Sequence, residues 1–338
     1  MSSQPRSPSI NDVAALANVS YQTVSRVLND HPNVRASTRL KVQAAITQLG
    51  YSPNSAARTL VTGRSRVLGV ITLDVANVDG LAAMYGVERR AREHGYFVST
   101  VALEHVDRSS MRAAVDQLAE QRVAGMLVIV PSEAADDALT SLPSSVPLVL
   151  IEGRPGHGIA NAAVDQELGA RRATEHLLEL GHETVFHVRG LSDWMQTHDR
   201  VTGWRKALEA AGREAPLPLA GDWTAGSGYS AGRMLARIPE LTAVFASNDD
   251  MALGILLALA ERGLRVPEDV SVVGFDNLDA SAYYNPPLTT VQQEFTAVGS
   301  RAVEMLFGQI ERGERDDEQF LIEPQLVVRK STGPARTA

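Results

Sequence analysis

Residues 9–29, SINDVAALANVSYQTVSRVLN, constrain this chain more than any other segment. Two short helical patterns flank Asn18-Val19-Ser20. Ser9 precedes the apolar series Ile10, Val13, Ala14 and Ala17, and Asp12 follows three residues later, the spacing of a capping box. Ser20 can cap a second helix over about Tyr21–Leu28, with Val24, Val27 and Leu28 on one side and Tyr21, Gln22 and Arg26 on the other. Their apolar faces need a cover. A third helix over about Ala36–Leu49 offers Leu40, Ala44, Ile46 and Leu49, and Gly50 suits its C′ position. Three helices around one small core make a helix-turn-helix unit. A small helix with this polar face suits the major groove, where Gln22 can pair with adenine and Arg26 with guanine. Tyr21 can meet a base edge or a phosphate, and Ser20, Thr23, Ser25 and Asn29 are short polar groups suited to phosphates. A plain helical hairpin with one polar face would show the same pattern.

The overall charge of −8 runs against nucleic-acid binding until it is divided. Residues 1–66 carry eight basic and two acidic side chains, a net +6, which leaves −14 on residues 67–338. A basic head on an acidic body orients a chain on a polyanion, although a merely solvated head could cluster charge as well. With 338 residues, 44% of them hydrophobic, the chain can fill two or three domains. It has no cysteine, hence no disulfide or thiolate metal site, and its eight scattered histidines show no H-E-x-x-H spacing. No metal or cofactor is expected. The N-terminal MSSQPRSPS has no apolar stretch of a signal peptide, and no run of eighteen apolar residues occurs. The expected location is cytoplasmic, at the nucleoid, with no membrane partner.

From Val67 the texture changes. Short runs rich in valine and isoleucine (67–73, 96–103, 125–130, 147–151, 184–188, 243–247 and 270–275) alternate with amphipathic stretches such as 80–94, 109–121, 166–180, 198–211 and 249–263. That alternation argues for parallel sheets covered by helices on both faces. The runs fall into two sets of similar size, which suggests two lobes about a cleft, with ligand beyond the carboxyl ends of the strands. Gly228-Tyr229-Ser230-Ala231-Gly232 matches the G-x-S-x-G elbow of hydrolases. The residues before it do not read as a strand, and the last histidine is His198, so no enzyme and no catalytic residue is expected.

The segments NDVAALANVSYQTVSRVLN and TRLKVQAAITQLGYSPNSAARTL resemble the head of the LacI/GalR family of bacterial transcription regulators. AGMLVIVP (124–131), GHETVFHV (181–188), DRVTGW (199–204), GDWTAGSGY (221–229), SNDDMALG (247–254), RVPEDVSVVGFDN (265–277) and NPPLTTVQQEF (285–295) resemble its effector core. The resemblance covers nearly the whole chain. It implies an all-α helix-turn-helix head joined to an α/β two-lobed, periplasmic-binding-protein-like core. The head takes residues 1–53, a hinge and linker 54–66, and the core 67–338. The chain would cross three times between an N-terminal lobe (about 67–164 and 295–322) and a C-terminal lobe (about 165–294 and 323–338). The hinge, about 54–61, is too short to be a stable helix alone and would form on DNA. Asn54 and Ala57 would lie on it, and Leu60 would wedge into the minor groove.

In the core, Arg200, Asn248 and Asp276 match family positions that hydrogen-bond effector hydroxyls, and Trp223 matches a tryptophan that packs on a sugar ring. Gln293 and Phe295 match pocket-lining residues, and Glu152 stands where the family has an aspartate. Asn77, Asp79 and Gly80 replace an apolar patch, Ile129 an asparagine and Val164 an aromatic, which leaves the effector open; a galactoside or another β-glycoside leads, and a more polar or longer saccharide fits the change at Asn77 and Asp79. The implied function is a repressor whose grip on a palindromic double-stranded operator falls when sugar binds. The ending LVVRKSTGPARTA shows no leucine heptads, so a homodimer is expected. Two alternatives stay open: the same fold answering to a co-repressor, and a sugar-binding protein with no regulatory role. The latter would need a signal peptide and no helix-turn-helix.

Overall fold

A computed structural model describes residues 8–28, 31–51, 65–73, 78–129, 146–153 and 158–336. Its contacts fall into two units that divide between Arg66 and Val67.

The first unit is three helices. α1 (Ile10–Ala17) begins with the expected capping box: the Ser9 backbone N–H donates to Asp12 Oδ2 at 2.7 Å, and the Asp12 N–H donates to Ser9 Oγ at 3.4 Å. Asn18 ends the helix in the left-handed conformation, φ 52°, which asparagine tolerates better than most residues. Ser20 then caps α2 (Tyr21–Leu28), accepting from the Thr23 N–H at 3.2 Å. α3 (Ala36–Leu49) stops at Gly50, φ 61°. The core consists of Val13, Ala14, Ala17, Val24, Val27, Val42 and Ala45, flanked by Ile46 and Leu49 among others. Leu40 and Ala44 are not in it; Leu40 is 68% exposed. The buried stripe of α3 runs through Val42, Ala45, Ile46 and Leu49, three to four residues apart. Leu40 lies two residues before Val42, about 200° around the helix.

The second unit has two six-stranded sheets. The strands, in chain order, are β1 (Val67–Leu73), β2 (Phe97–Leu103), β3 (Gly125–Ile129), β4 (Leu148–Ile151), β5 (Ala160–Val164), β6 (Phe186–Arg189), β7 (Leu219–Ala220), β8 (Ala243–Ala246), β9 (Ser271–Asp276), β10 (Thr289–Gln292), β11 (Gln319–Ile322) and β12 (Gln325–Val327). The first sheet, ordered β11-β5-β4-β3-β1-β2, is parallel throughout. The second, β12-β10-β9-β8-β6-β7, is parallel except where β12 runs against β10. The chain passes between the sheets after β5, after β10 and after β11.

Helices cover both faces of each sheet, so the central strands are continuous apolar runs. On the first, α4 (Val78–Glu93) and the late helix α10 (Phe295–Arg312) bury Ala83, Val87, Val298 and Leu306 against Leu68 and Val70. α5 (Arg108–Glu120) buries Met111 and Leu118 against Ile71. On the second, α6 (Gln166–Glu179) and α7 (Met195–Ala210) pack Leu177 and Trp204 on Phe245 and Phe275. α8 (Ala225–Leu235) and α9 (Asp249–Glu261) pack Leu235 and Ile255 on Val244 and Val272.

The G-x-S-x-G stretch lies inside α8, not at a strand end. Its glycines serve the α8–α9 contact: a Cβ on Gly228 would sit 2.1 Å from the Met251 carbonyl oxygen, and one on Gly232 2.8 Å from Ala258 Cβ. Ser230 donates to the Gly226 carbonyl at 3.1 Å, back along its own helix. Gly228→Val is therefore expected to cost about 3 kcal/mol or more by overpacking, and exposed Ser230→Ala about 0.5 kcal/mol or less. Urea unfolding of both variants checks this, and a neutral Gly228→Val would mean the helices do not meet so closely.

Candidate ligand cleft and nucleic-acid interface

On α2 the apolar and polar faces separate cleanly. Val24 and Val27 are buried, whereas Tyr21, Gln22 and Arg26 are exposed on one surface of the head. Ser20 and Thr23 also bond each other, Oγ to Oγ1 at 2.9 Å, so these hydroxyls help hold the start of the helix. Ser25 is half-buried. Asn29, Asn54, Ala57 and Leu60 lie outside the described residues.

In the core, the expected ligand residues gather at the carboxyl ends of strands. Glu152 follows β4, Asn248 follows β8, Asp276 ends β9 and Gln293 follows β10. Buried Arg200, on the second turn of α7, is the hub. Its Nε donates to Gln166 Oε1 at 2.9 Å, its Nη1 donates to the Ser247 carbonyl, and its Nη2 lies 3.6 Å from Asp276 Oδ1. The guanidinium carbon sits 3.9 Å from the centre of the Phe275 ring. Gln166, the first residue of α6, extends the network. Its Nε2 donates to Gln293 Oε1 at 2.6 Å and to Glu152 Oε2 at 3.1 Å. Gln293 Nε2 in turn donates to Asp276 Oδ1 at 2.6 Å, and Glu152 Oε1 accepts the Val164 N–H at 2.7 Å. Side chains of both lobes and of two crossover segments thus share one buried polar chain.

Trp223 stands beside it. Its indole packs on Gly190 so tightly that a Cβ there would fall 2.1 Å from a ring carbon. The Asn248 side chain holds the Trp223 carbonyl with an Nδ2 bond of 3.0 Å and caps α9 by accepting the Met251 N–H at 2.9 Å. The Trp194 ring centre lies 5.7 Å from that of Trp223, the planes 54° apart. Six non-glycine residues among those described have positive φ, and four of them are here: Glu152 (59°), Trp223 (73°), Asp276 (104°) and Asn277 (54°). Such conformations cost about 1–3 kcal/mol each and cluster where function requires them.

Other expected positions differ. Phe295 is 6% exposed and belongs to the apolar core of the first lobe, at the start of α10, so it backs the cleft from within. Ile129 and Val164 are likewise buried at strand ends. Asn77 lies outside the described residues; Asp79 lies in α4, and its side chain is outside the description. Among the described residues no group of three or more carboxylates and histidines could hold a metal, and no helix is long and apolar enough to cross a membrane.

Residues 9–54 match bacterial regulatory proteins, lacI family, and residues 174–332 match a periplasmic binding protein-like domain. The chain is 36% identical over 326 residues to the lactose operon repressor of Escherichia coli (strain K12), spanning 95% of this chain and 89% of that protein. The chain belongs to the LacI family of bacterial regulatory proteins. Another relative, the HTH-type transcriptional repressor PurR of Aliivibrio salmonicida (strain LFI1238), is 34% identical over 332 residues, spanning 95% of this chain and 98% of that protein. The crystal structure of the Lac repressor dimer bound to operator and the anti-inducer ONPF has a TM-score of 0.87 at 33% identity, covering 97% of this chain and 100% of that one. A transcriptional regulator CelR–cellobiose complex has a TM-score of 0.71 at 31% identity, covering 96% and 99%. The protein is a LacI-family, DNA-binding transcriptional repressor with a periplasmic-binding-type regulatory core; these relatives are regulators, not enzymes.

Four residues in or near this network were not singled out from the sequence: Gln166, which bonds Glu152 and Gln293, and Trp194, Gln196 and Thr197, which precede Arg200 in the chain. Gln166 was legible only as the start of the amphipathic stretch 166–180, because the strand before it was not read. The other three open α7 in the segment just before the quoted DRVTGW. Gln196 Oε1, Thr197 Oγ1 and Trp223 Nε1 are buried side-chain atoms with no hydrogen-bond partner.

Below the cleft, Asp249 is fully buried beside Asn248. It accepts from Thr290 Oγ1 at 2.5 Å and from the Leu278 N–H at 2.8 Å, and so braces the turn after Asp276. Burial pushes its pKa up from 3.8 to about 6, against those bonds. Between these values the fold holds a proton that the unfolded chain has released, so the contribution of Asp249 to stability falls as pH rises through about 4 to 6. Buried His187, pushed down from 6.5 to about 3, acts the other way and loses stability as pH falls below 6.5. Asp249→Asn isolates the first effect. The stability difference, wild type minus variant, is expected to drop by about 2 kcal/mol between pH 4 and 7; a flat difference would remove the titration.

Proposed function

We propose that this repressor binds a palindromic operator as a homodimer and releases it when a sugar occupies the cleft between the core lobes. The carrying observation is the cleft itself. Its one buried guanidinium already faces Asp276 and two neutral acceptors, an indole stands at its side, and unsatisfied polar atoms remain. Such a site suits an uncharged ligand with hydroxyls and an apolar C–H face. The relative captured with cellobiose supports the same class.

Tyr21, Gln22 and Arg26 read each half-site, with Ser20, Thr23, Ser25 and Asn29 toward phosphates. Asn54, Ala57 and Leu60 act in a hinge that forms on DNA. Leu253 and Leu257, one turn apart on α9, and Tyr283 expose apolar surface that a second copy would cover. Sugar shifts the population toward a state with weaker operator grip, by a coupling of about 1–3 kcal/mol.

Fluorescence polarisation of a labelled inverted-repeat duplex tests the scheme, with a sugar panel as competitor. Sugar-driven release is expected; tightening would reverse the sign to a co-repressor. Arg26→Ala is expected to lose about 1–3 kcal/mol on the operator and less on random duplex. Equal losses on both would confine Arg26 to phosphate contact. Trp223→Ala is expected to keep operator binding and lose the sugar response. A variant that still releases DNA at wild-type sugar concentration would take Trp223 out of the site.

A further inference from the structure

We propose that Trp194 extends the cleft into a two-ring saccharide site, forming with Trp223 one aromatic wall for the apolar faces of two linked pyranose rings. This rests on the reading of the cleft as a sugar site. At 5.7 Å and 54° the two indoles are too close and too steeply inclined to clamp one flat ring between them. The tilted contact instead sets the two ring faces at an angle to each other. One pyranose covers one indole. A second, turned at a glycosidic bond, meets the other, and the ring separation is of the order of that between linked sugar rings. A planar base would stack on only one of the two faces.

The polar groups agree. Trp194 is the residue before α7, and Gln196 and Thr197 lie in its first turn, so all three belong to one helix start. Gln196 is 8% and Thr197 2% exposed, yet Gln196 Oε1 and Thr197 Oγ1 have no partner, nor does Trp223 Nε1. The set comprises one acceptor, one donor and one group that is both. Hydroxyls donate and accept, so a saccharide satisfies all three at once. Arg200, one turn further on, is engaged by Gln166, Ser247 and Asp276, so no anionic group is called for.

Calorimetric titration of the full chain with lactose and cellobiose, and with their component monosaccharides galactose and glucose, tests this. Wild type is expected to bind a disaccharide more tightly than either monosaccharide. Trp194→Ala and Trp194→Leu, the second keeping apolar bulk, are expected to weaken the disaccharide about tenfold and a monosaccharide less than about twofold. Trp194→Phe should restore most of the loss. Thr197→Val should weaken sugar binding with no fall in melting temperature. Equal losses for one-ring and two-ring sugars, or no loss in any Trp194 variant, overturn the two-ring site and leave the sugar reading standing. If no sugar of the panel binds wild type, both readings fall.

Discussion

The guanidinium of Arg200 is the contact on which the regulatory core depends. It is buried on α7 yet touches the start of α6, the end of β8 and the end of β9 through Gln166, Ser247 and Asp276. A buried cation is tolerable only when paired and hydrogen-bonded, and removing one partner strands the other charge. Arg200 is therefore a positioning residue as much as a candidate ligand donor. Its loss would remove the cation that lies 3.6 Å from Asp276, whose side chain is only 10% exposed. Because Gln166 also bonds Glu152 and Gln293, the same knot joins the first lobe to the second. A ligand entering there has to exchange partners with the knot.

The head works under a different constraint. Its core is valines and alanines, and its reading face must stay exposed and polar, so it has little apolar area with which to hold itself together. Local devices carry more of the load than in the core. The Ser9–Asp12 box, left-handed Asn18, the Ser20 cap and Gly50 fix where each helix begins and ends. An N-cap contributes about 1 kcal/mol, a large share in so small a unit. These caps are local in sequence, which is why the head could be read almost residue by residue.

The core was legible where strands are buried on both faces. The run 67–73 is β1 itself, and 270–275 differs from β9 by one residue at each end. The missed strands are of another kind. β5 reads ANAAV, with alanine where β-branched residues are usual, and its burial comes from α10, more than 130 residues later. β7, β10, β11 and β12 are edge or next-to-edge strands of two to four residues, too short to set a period. On α3, Leu40 and Ala44 were misread because hydrophobicity was weighed ahead of register: the stripe is fixed by Val42, and Leu40 faces away from it. Gln196 and Thr197 are not legible in the sequence, because polar residues early in a helix ordinarily face solvent, and only the fold buries them.

Where strain sits says most about why the cleft is built this way. Glu152, Trp223, Asp276 and Asn277 all adopt left-handed backbone, at the ends of strands that are otherwise regular. Relaxing any one would turn its side chain out of the network. Each is restrained by a bond to an element distant in sequence: Val164 to Glu152, Asn248 to the Trp223 carbonyl, Gln293 to Asp276 and Arg329 to Asn277 at 2.6 Å. Arg329 lies in the segment after β12, so the last stretch of chain also holds the cleft floor. The strain is thus opposed by tertiary bonds that form only once each lobe has folded. Such a site is pre-shaped, and a ligand that replaces some of these bonds alters the balance of strain as well as filling space.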